Sequence, residues 1–223
     1  MATAFITGGG GRLGAAAGER LAADGWRVIL GDTDLFAAQA AAKRIGPSAS
    51  AVELDVTDLT AVKRAVNEAG PINALVNAAG GRTFAEVGPF TESSPETWKP
   101  IIDLHLRGVL NTCRAALPGM ILQKRGAIVS LIAVEAFRGE ADGAAFAVAK
   151  AGVMVLTETL VRECQPHNIR VNAVIPGHAK ALARIGANDD ATEVAEAIAY
   201  LVSDRAARTS GAALDVSSGW ALH

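Results

Sequence analysis

Residues 3–14 read Thr-Ala-Phe-Ile-Thr-Gly-Gly-Gly-Gly-Arg-Leu-Gly, and the fold turns on this stretch. Residues 3–6 have the character of a short strand, and an alanine-rich helical pattern runs over 13–23. A strand, a glycine turn and a helix in that order make an anion site. Glycines let the backbone approach a pyrophosphate, and the free N–H groups of the helix's first turn point at it. Glycine runs also make ordinary tight turns, so the reading rests on what surrounds this one.

Outward from the turn, strand-like and helical runs alternate. Strands are predicted at 27–31, 49–54, 73–77, 127–131, 169–175 and 212–216. Helices are predicted at 35–45, 61–68, 96–123, 144–164 and 193–202, the third with Pro100 near its start and Pro118 near its end. This alternation implies right-handed crossovers and a parallel sheet covered by helices on both faces, a doubly wound α/β fold. No repeat, low-complexity tract or linker divides the chain, so one domain is expected over its 223 residues.

Asp32 ends the second strand at the spacing where a carboxylate accepts hydrogen bonds from an adenosine ribose. The same charge would repel a 2'-phosphate, which favours NAD over NADP. The competing reading is a turn or N-cap residue within Gly31-Asp32-Thr33-Asp34.

Composition narrows the rest. Half of the residues are hydrophobic, enough for a sizeable core. Net charge is -2 and the pI is about 6.1, so there is no electrostatic case for nucleic acid or an anionic membrane. Charged residues interrupt the longest apolar stretches, so no membrane-spanning helix is expected. No basic segment followed by an apolar one marks a secretory leader. Cys113 and Cys164 lie far apart in helical patterns and read as reduced thiols of a cytoplasmic protein. No metal site is read.

With these residues in view, the chain resembles the short-chain dehydrogenase/reductase family over nearly its whole length. The run from Thr7 and Gly8 through Gly11, Arg12 and Leu13 to Gly14 is similar to the family's glycine turn. Asp55-Val56 resembles the pair that touches the adenine, and Asn77-Ala78-Ala79-Gly80 its N-A-G signature. Pro176-Gly177 is similar to the pair lining the nicotinamide end, and Ser210-Gly211 with the last strand to the closing segment. The resemblance implies a seven-stranded Rossmann-like sheet in the order 3-2-1-4-5-6-7. It also implies a nicotinamide cofactor held by these residues and a small-molecule substrate.

Three departures bear on function. Arg12 stands where the family turn has its middle glycine, where it could crowd the cofactor, reach its phosphates or point into solvent. Next, the family's acid–base set is broken. Its tyrosine position holds Phe146 and its serine position Ala133, while its asparagine position holds His105. Lys150 is retained, four residues after Phe146, and the resemblance makes it a contact to the nicotinamide ribose. Neither a phenyl ring nor a methyl group can donate a proton, so ordinary carbonyl reduction should fail. Finally, residues 178–191 are short for the lid that covers substrate in relatives, and Ala181 stands where a threonine usually touches the carboxamide.

Three residues are candidates to replace the lost groups: His105, titratable near neutral pH, His178 after Pro176-Gly177, and Glu135 beyond strand five. Their ordinary readings are an interface histidine, a solvated turn histidine and a loop carboxylate. Asp142 reads as a capping or turn residue. Three functions compete: an NAD-binding protein without tyrosine-dependent redox, acting as a binding or partner subunit; an enzyme using His105, His178 or Glu135 for a variant redox or non-redox step; and a protomer mixed with an active relative. Apolar residues on several faces of the two longest helices, together with the family's usual interface, suggest a homodimer or homotetramer.

Overall fold

A computed structural model describes residues 1–80, 89–139, 141–177 and 191–217. The strands are β1 (Thr3–Thr7), β2 (Arg27–Asp32), β3 (Ala49–Glu53), β4 (Ala74–Asn77), β5 (Gly126–Leu131), β6 (Ile169–Pro176) and β7 (Ala213–Val216). They form one sheet in the order β3-β2-β1-β4-β5-β6-β7, and every neighbouring pair is parallel. The helices are α1 (Arg12–Ala23), α2 (Leu35–Ile45), α3 (Leu59–Ala69), α4 (Pro95–Ile102), α5 (Gly108–Gln123), α6 (Ala144–Cys164) and α7 (Ala191–Val202).

The period of two along each strand divides the core into two layers. Phe5, Ile29, Leu75 and Ile128 face α3, α5 and α6. Ala4, Ile6, Val28, Leu30, Val76 and Val129 face α1, α2 and α7. Both faces are covered, which is why these strands read as nearly unbroken apolar runs. The strand order reverses between β1 and β4, so the crevice at their C-terminal ends is the natural binding place of such a sheet.

One expectation is corrected. The helix predicted over 96–123 is three pieces: α4, a π-helical turn at Asp103–Arg107, and α5. A wide turn spends an extra residue without breaking the helical run, so it leaves no mark in a 3.6-residue pattern. The stretch Ala144–His167 is apolar and long enough to cross a bilayer by length and composition, with mean hydropathy 1.6. In the domain one of its faces is buried, through Ala145, Ala149, Val153, Leu160 and Cys164.

Candidate functional site

The turn after β1 closes on itself. Gly8 has φ +67, and a Cβ there would lie 2.5 Å from the Ala78 carbonyl oxygen. A Cβ on Gly14 would lie 2.1 Å from the carbonyl oxygen of Gly8. Both positions therefore need glycine. Arg12 opens α1 and is exposed.

The start of α1 differs from its neighbours. Asp34 caps α2 by accepting from the Ala37 N–H, and Asp58 caps α3 by accepting from Thr60 and Ala61. The N-cap of α1 is Gly11, which has no side chain to offer, and no acidic residue lies in the first turn. The orphan N–H groups there keep their capacity for an anion.

Asp32 sits beside this turn as the last residue of β2. One carboxylate oxygen accepts from the Gly10 N–H at 2.9 Å and the other from Asp34 N–H at 3.0 Å. The residue is thus a turn former, with the capping role falling to Asp34. A carboxylate has about four acceptor sites, so two ribose hydroxyls can still be met. The glycine turn, the uncapped helix start and this carboxylate together fit a dinucleotide.

The loop after β4 adjoins the glycine turn through the pairing of Thr7 with Asn77 and a bond from Ala79 N–H to Thr7 Oγ1 at 3.2 Å. Asn77 is buried and its side chain is spent inward. It donates to Ser130 Oγ at 3.0 Å and accepts from Thr112 Oγ1 at 2.7 Å. What Ala78, Ala79 and Gly80 offer a ligand is therefore backbone. Asp55 is exposed and accepts from Thr57 N–H, while Val56 is buried and its carbonyl accepts from Asn111 at 2.9 Å. Ser130, Thr112 and Asn111 went unread in the sequence, because small polar residues inside a strand or helix give no signal until the register pairs them.

A second group of residues gathers around the Phe146 ring. His105, in the π turn, stands edge-on to Phe146 of α6, with ring centroids 4.9 Å apart and planes 81° apart. A Cβ on Gly80 would lie 3.3 Å from the His105 ring. The Lys150 ammonium is 5.6 Å from the Phe146 ring centroid and donates to the Leu131 carbonyl at 2.9 Å. Ala133 precedes a single 3-10 turn, Val134–Ala136, which carries Glu135 against α6. Glu135 is no loop carboxylate: it is 3% exposed, and its Oε1 has no hydrogen-bond partner among the described residues.

Burial reshapes the titration of this group. His105 is 2% exposed, and burial, aided by the charge of Lys150, pushes it down to about 3. It is neutral at neutral pH, contrary to the expectation of a group titrating there, and so a poor acid and a weak base. Burial lowers Lys150 to about 8, with Glu135 opposing the fall. Phe146 and Ala133 add no proton donor. Pro176 and Gly177 follow at the end of β6. His178, Ala181 and the rest of 178–190 lie outside the described residues. Asp142 is a turn residue with φ 65, and the N-cap of α6 is Gly143. Among the described residues, no group of His, Cys, Asp or Glu is placed to hold a metal ion.

Comparison with known proteins agrees with this architecture. The model of the short chain dehydrogenase family matches residues 2–192. An uncharacterized oxidoreductase of Mycobacterium bovis is 36% identical over 97% of this chain and 96% of its own length. The 3-oxoacyl-[acyl-carrier-protein] reductase of Thermotoga maritima is 34% identical over 66% of this chain and 65% of its own. A crystal structure described as a short-chain dehydrogenase/reductase from Burkholderia xenovorans superposes with TM-score 0.92 at 29% identity, covering 100% of this chain and 97% of that one. With its parallel sheet, its glycine turn and these likenesses, the chain belongs to the short-chain dehydrogenase/reductase family of oxidoreductases, whose members bind a nicotinamide dinucleotide and a substrate.

Proposed function

We propose that this protein binds NAD in preference to NADP, lacks tyrosine-dependent carbonyl or alcohol redox activity, and serves as a binding or partner subunit. One observation carries the reading: Phe146 stands beside Lys150 where a proton donor is required. Ala133, in the orienting position, compounds the loss. Positioned acid–base catalysis supplies a factor of roughly 10²–10⁴, and neither group can contribute to it. His105 does not repair the deficit, since it is held neutral far below the working pH.

The glycine turn would hold the pyrophosphate, with Asp32 on the adenosine ribose. Asp55 and Val56 would lie by the adenine. The backbone of Ala78 to Gly80 and Lys150 would lie by the second ribose, with Pro176 and Gly177 at the nicotinamide. When bound, NAD supplies a hydride-accepting ring; the chain's own residues bind and orient it. A homodimer or homotetramer is part of the proposal.

The test pairs binding with turnover. Calorimetry should give NAD binding at least about tenfold tighter than NADP, while NADH oxidation over a broad ketone and aldehyde panel stays at background. Robust turnover would reject the proposal. Its loss in Glu135→Gln or His178→Ala would then identify the replacement group.

A further inference from the structure

Helices α3 and α5 each lead back to the start of a parallel strand, so they run side by side in the same direction. Between their outer surfaces lies a groove of about 560 Å³, closed at one end by Gly70, Pro71 and Ile72, just before β4. It is thus reached from the opposite edge of the sheet to the dinucleotide crevice. Its floor is apolar, since Val66, Ile72 and Ala116 are buried. Its charged lining has one sign: Lys63 of α3 and Arg114 of α5, with no carboxylate among the described residues that line it. Neither cation is in an ion pair among the described residues.

The two ends of the groove differ. Lys63 and Arg114 are the first residues to line it on their helices, and parallel helices set them at the same end. Leu122, 86% exposed, stands toward the other. From Arg114 to Leu122 the helix rises about 12 Å. Gly119 keeps the apolar end open. Glycine is a poor residue for a helix interior, yet packing within the domain does not demand it here. A Cβ on the helical glycines Gly14, Gly18, Gly108 or Gly152 would come within 3.0 Å of a neighbour, whereas one on Gly119 would meet nothing within 4 Å. A larger side chain at 119 would enter the groove.

We propose that this groove binds a medium-chain carboxylate, its head between Lys63 and Arg114 and its alkyl chain along Val66, Ile72 and Leu122. The anion answers two cations that have no carboxylate of their own, and the chain covers apolar surface that the domain leaves in water. A span of about 12 Å is matched by an extended chain of roughly eight to ten carbons. The groove shares no residue with the glycine turn or the Phe146 group, so the inference stands apart from the dinucleotide reading.

Calorimetry at pH 7.5 and low salt tests it with decanoate, octanoate and decyltrimethylammonium, each below its micelle concentration. Decanoate should bind saturably, one per chain, and about tenfold more tightly than the cation of equal chain length. Octanoate, with two fewer methylenes to cover, should bind about fourfold more weakly than decanoate. Lys63→Glu, a surface change on α3, should weaken decanoate about fivefold, and Lys63→Arg should stay within about twofold of wild type. Gly119→Leu should fill the apolar end and weaken decanoate at least about tenfold, with a Tm at or above that of wild type. No saturable decanoate binding by wild type would overturn the proposal. Equal affinity for the anion and the cation would do the same. So would wild-type decanoate affinity in a folded Gly119→Leu or in Lys63→Glu, because the acid would then sit elsewhere on the protein.

Discussion

One oxygen atom at position 146 separates a proton donor from a bystander. The Phe146 ring already lies against Lys150 and His105, so a hydroxyl there would enter the field of the ammonium, which favours phenolate. Phe146→Tyr together with Ala133→Ser should therefore create NADH-dependent reduction of small ketones where wild type has none. The gain is bounded by the roughly 10²–10⁴ that positioned acid–base groups supply. Phe146→Tyr alone should give less. Silence in the double variant, with NAD binding intact, would mean that the nicotinamide does not dock beside Lys150. His105 makes a second prediction, about stability. Its folded value of about 3 lies below the ordinary 6.5. Between those values the unfolded chain holds a proton that the fold refuses, so stability present above pH 6.5 is lost as the pH falls. From pH 7 to pH 4 this is worth on the order of 3 kcal/mol. His105→Asn should flatten that limb in denaturant titrations; equal slopes would assign the acid sensitivity to other groups.

At the scale of elements, the glycine turn shows what a sequence can and cannot reveal. Gly14→Ala would drive a Cβ to 2.1 Å from a backbone oxygen, which no side-chain rotation relieves. The turn must open, with an expected cost of roughly 1–3 kcal/mol and a drop of several degrees in Tm. Its NAD affinity should fall at least about tenfold; a variant with wild-type Tm and affinity would show that the turn tolerates the opening. This demand was legible, because a strand, glycines and a helix in succession have few other uses. The alternating core positions of the strands were legible for a similar reason: a period of two survives in the chain. The strand order was not, and came from the resemblance. The π turn was invisible because it preserves helical continuity while rotating His105 inward. The inward commitment of Asn77 depended on Ser130 lying opposite it in β5, a fact of register and not of composition. Glu135 looked like a loop carboxylate because nothing local announces that a 3-10 turn is covered by a helix.

For the whole molecule, the outer surface of α5 and α6 carries exposed apolar side chains that one domain does not cover. Val148 and Val155 are 62% and 61% exposed, and Leu110 is 43% exposed. Leu110, Leu117, Leu156 and Leu160 line one groove between the two helices, flanked by Arg107 and Arg114. Scattered exposed apolar residues need no explanation, but a shared groove with apolar neighbours is the kind of patch that marks an interface. The proposed two-fold pairing of α5 and α6 would cover it with its own copy. In a two-fold interface each residue enters twice, so one substitution is felt as two. Val155→Glu would place a carboxylate on each protomer in an apolar contact, with no new partner for either. Light scattering at micromolar concentration should then give a multimer for wild type and a smaller species, down to the monomer, for Val155→Glu. Phe36→Ser, an 85% exposed site on α2 and away from these helices, should leave the mass unchanged. A monomeric wild type would remove the pairing altogether. Loss of the multimer in both variants would move the interface away from α6.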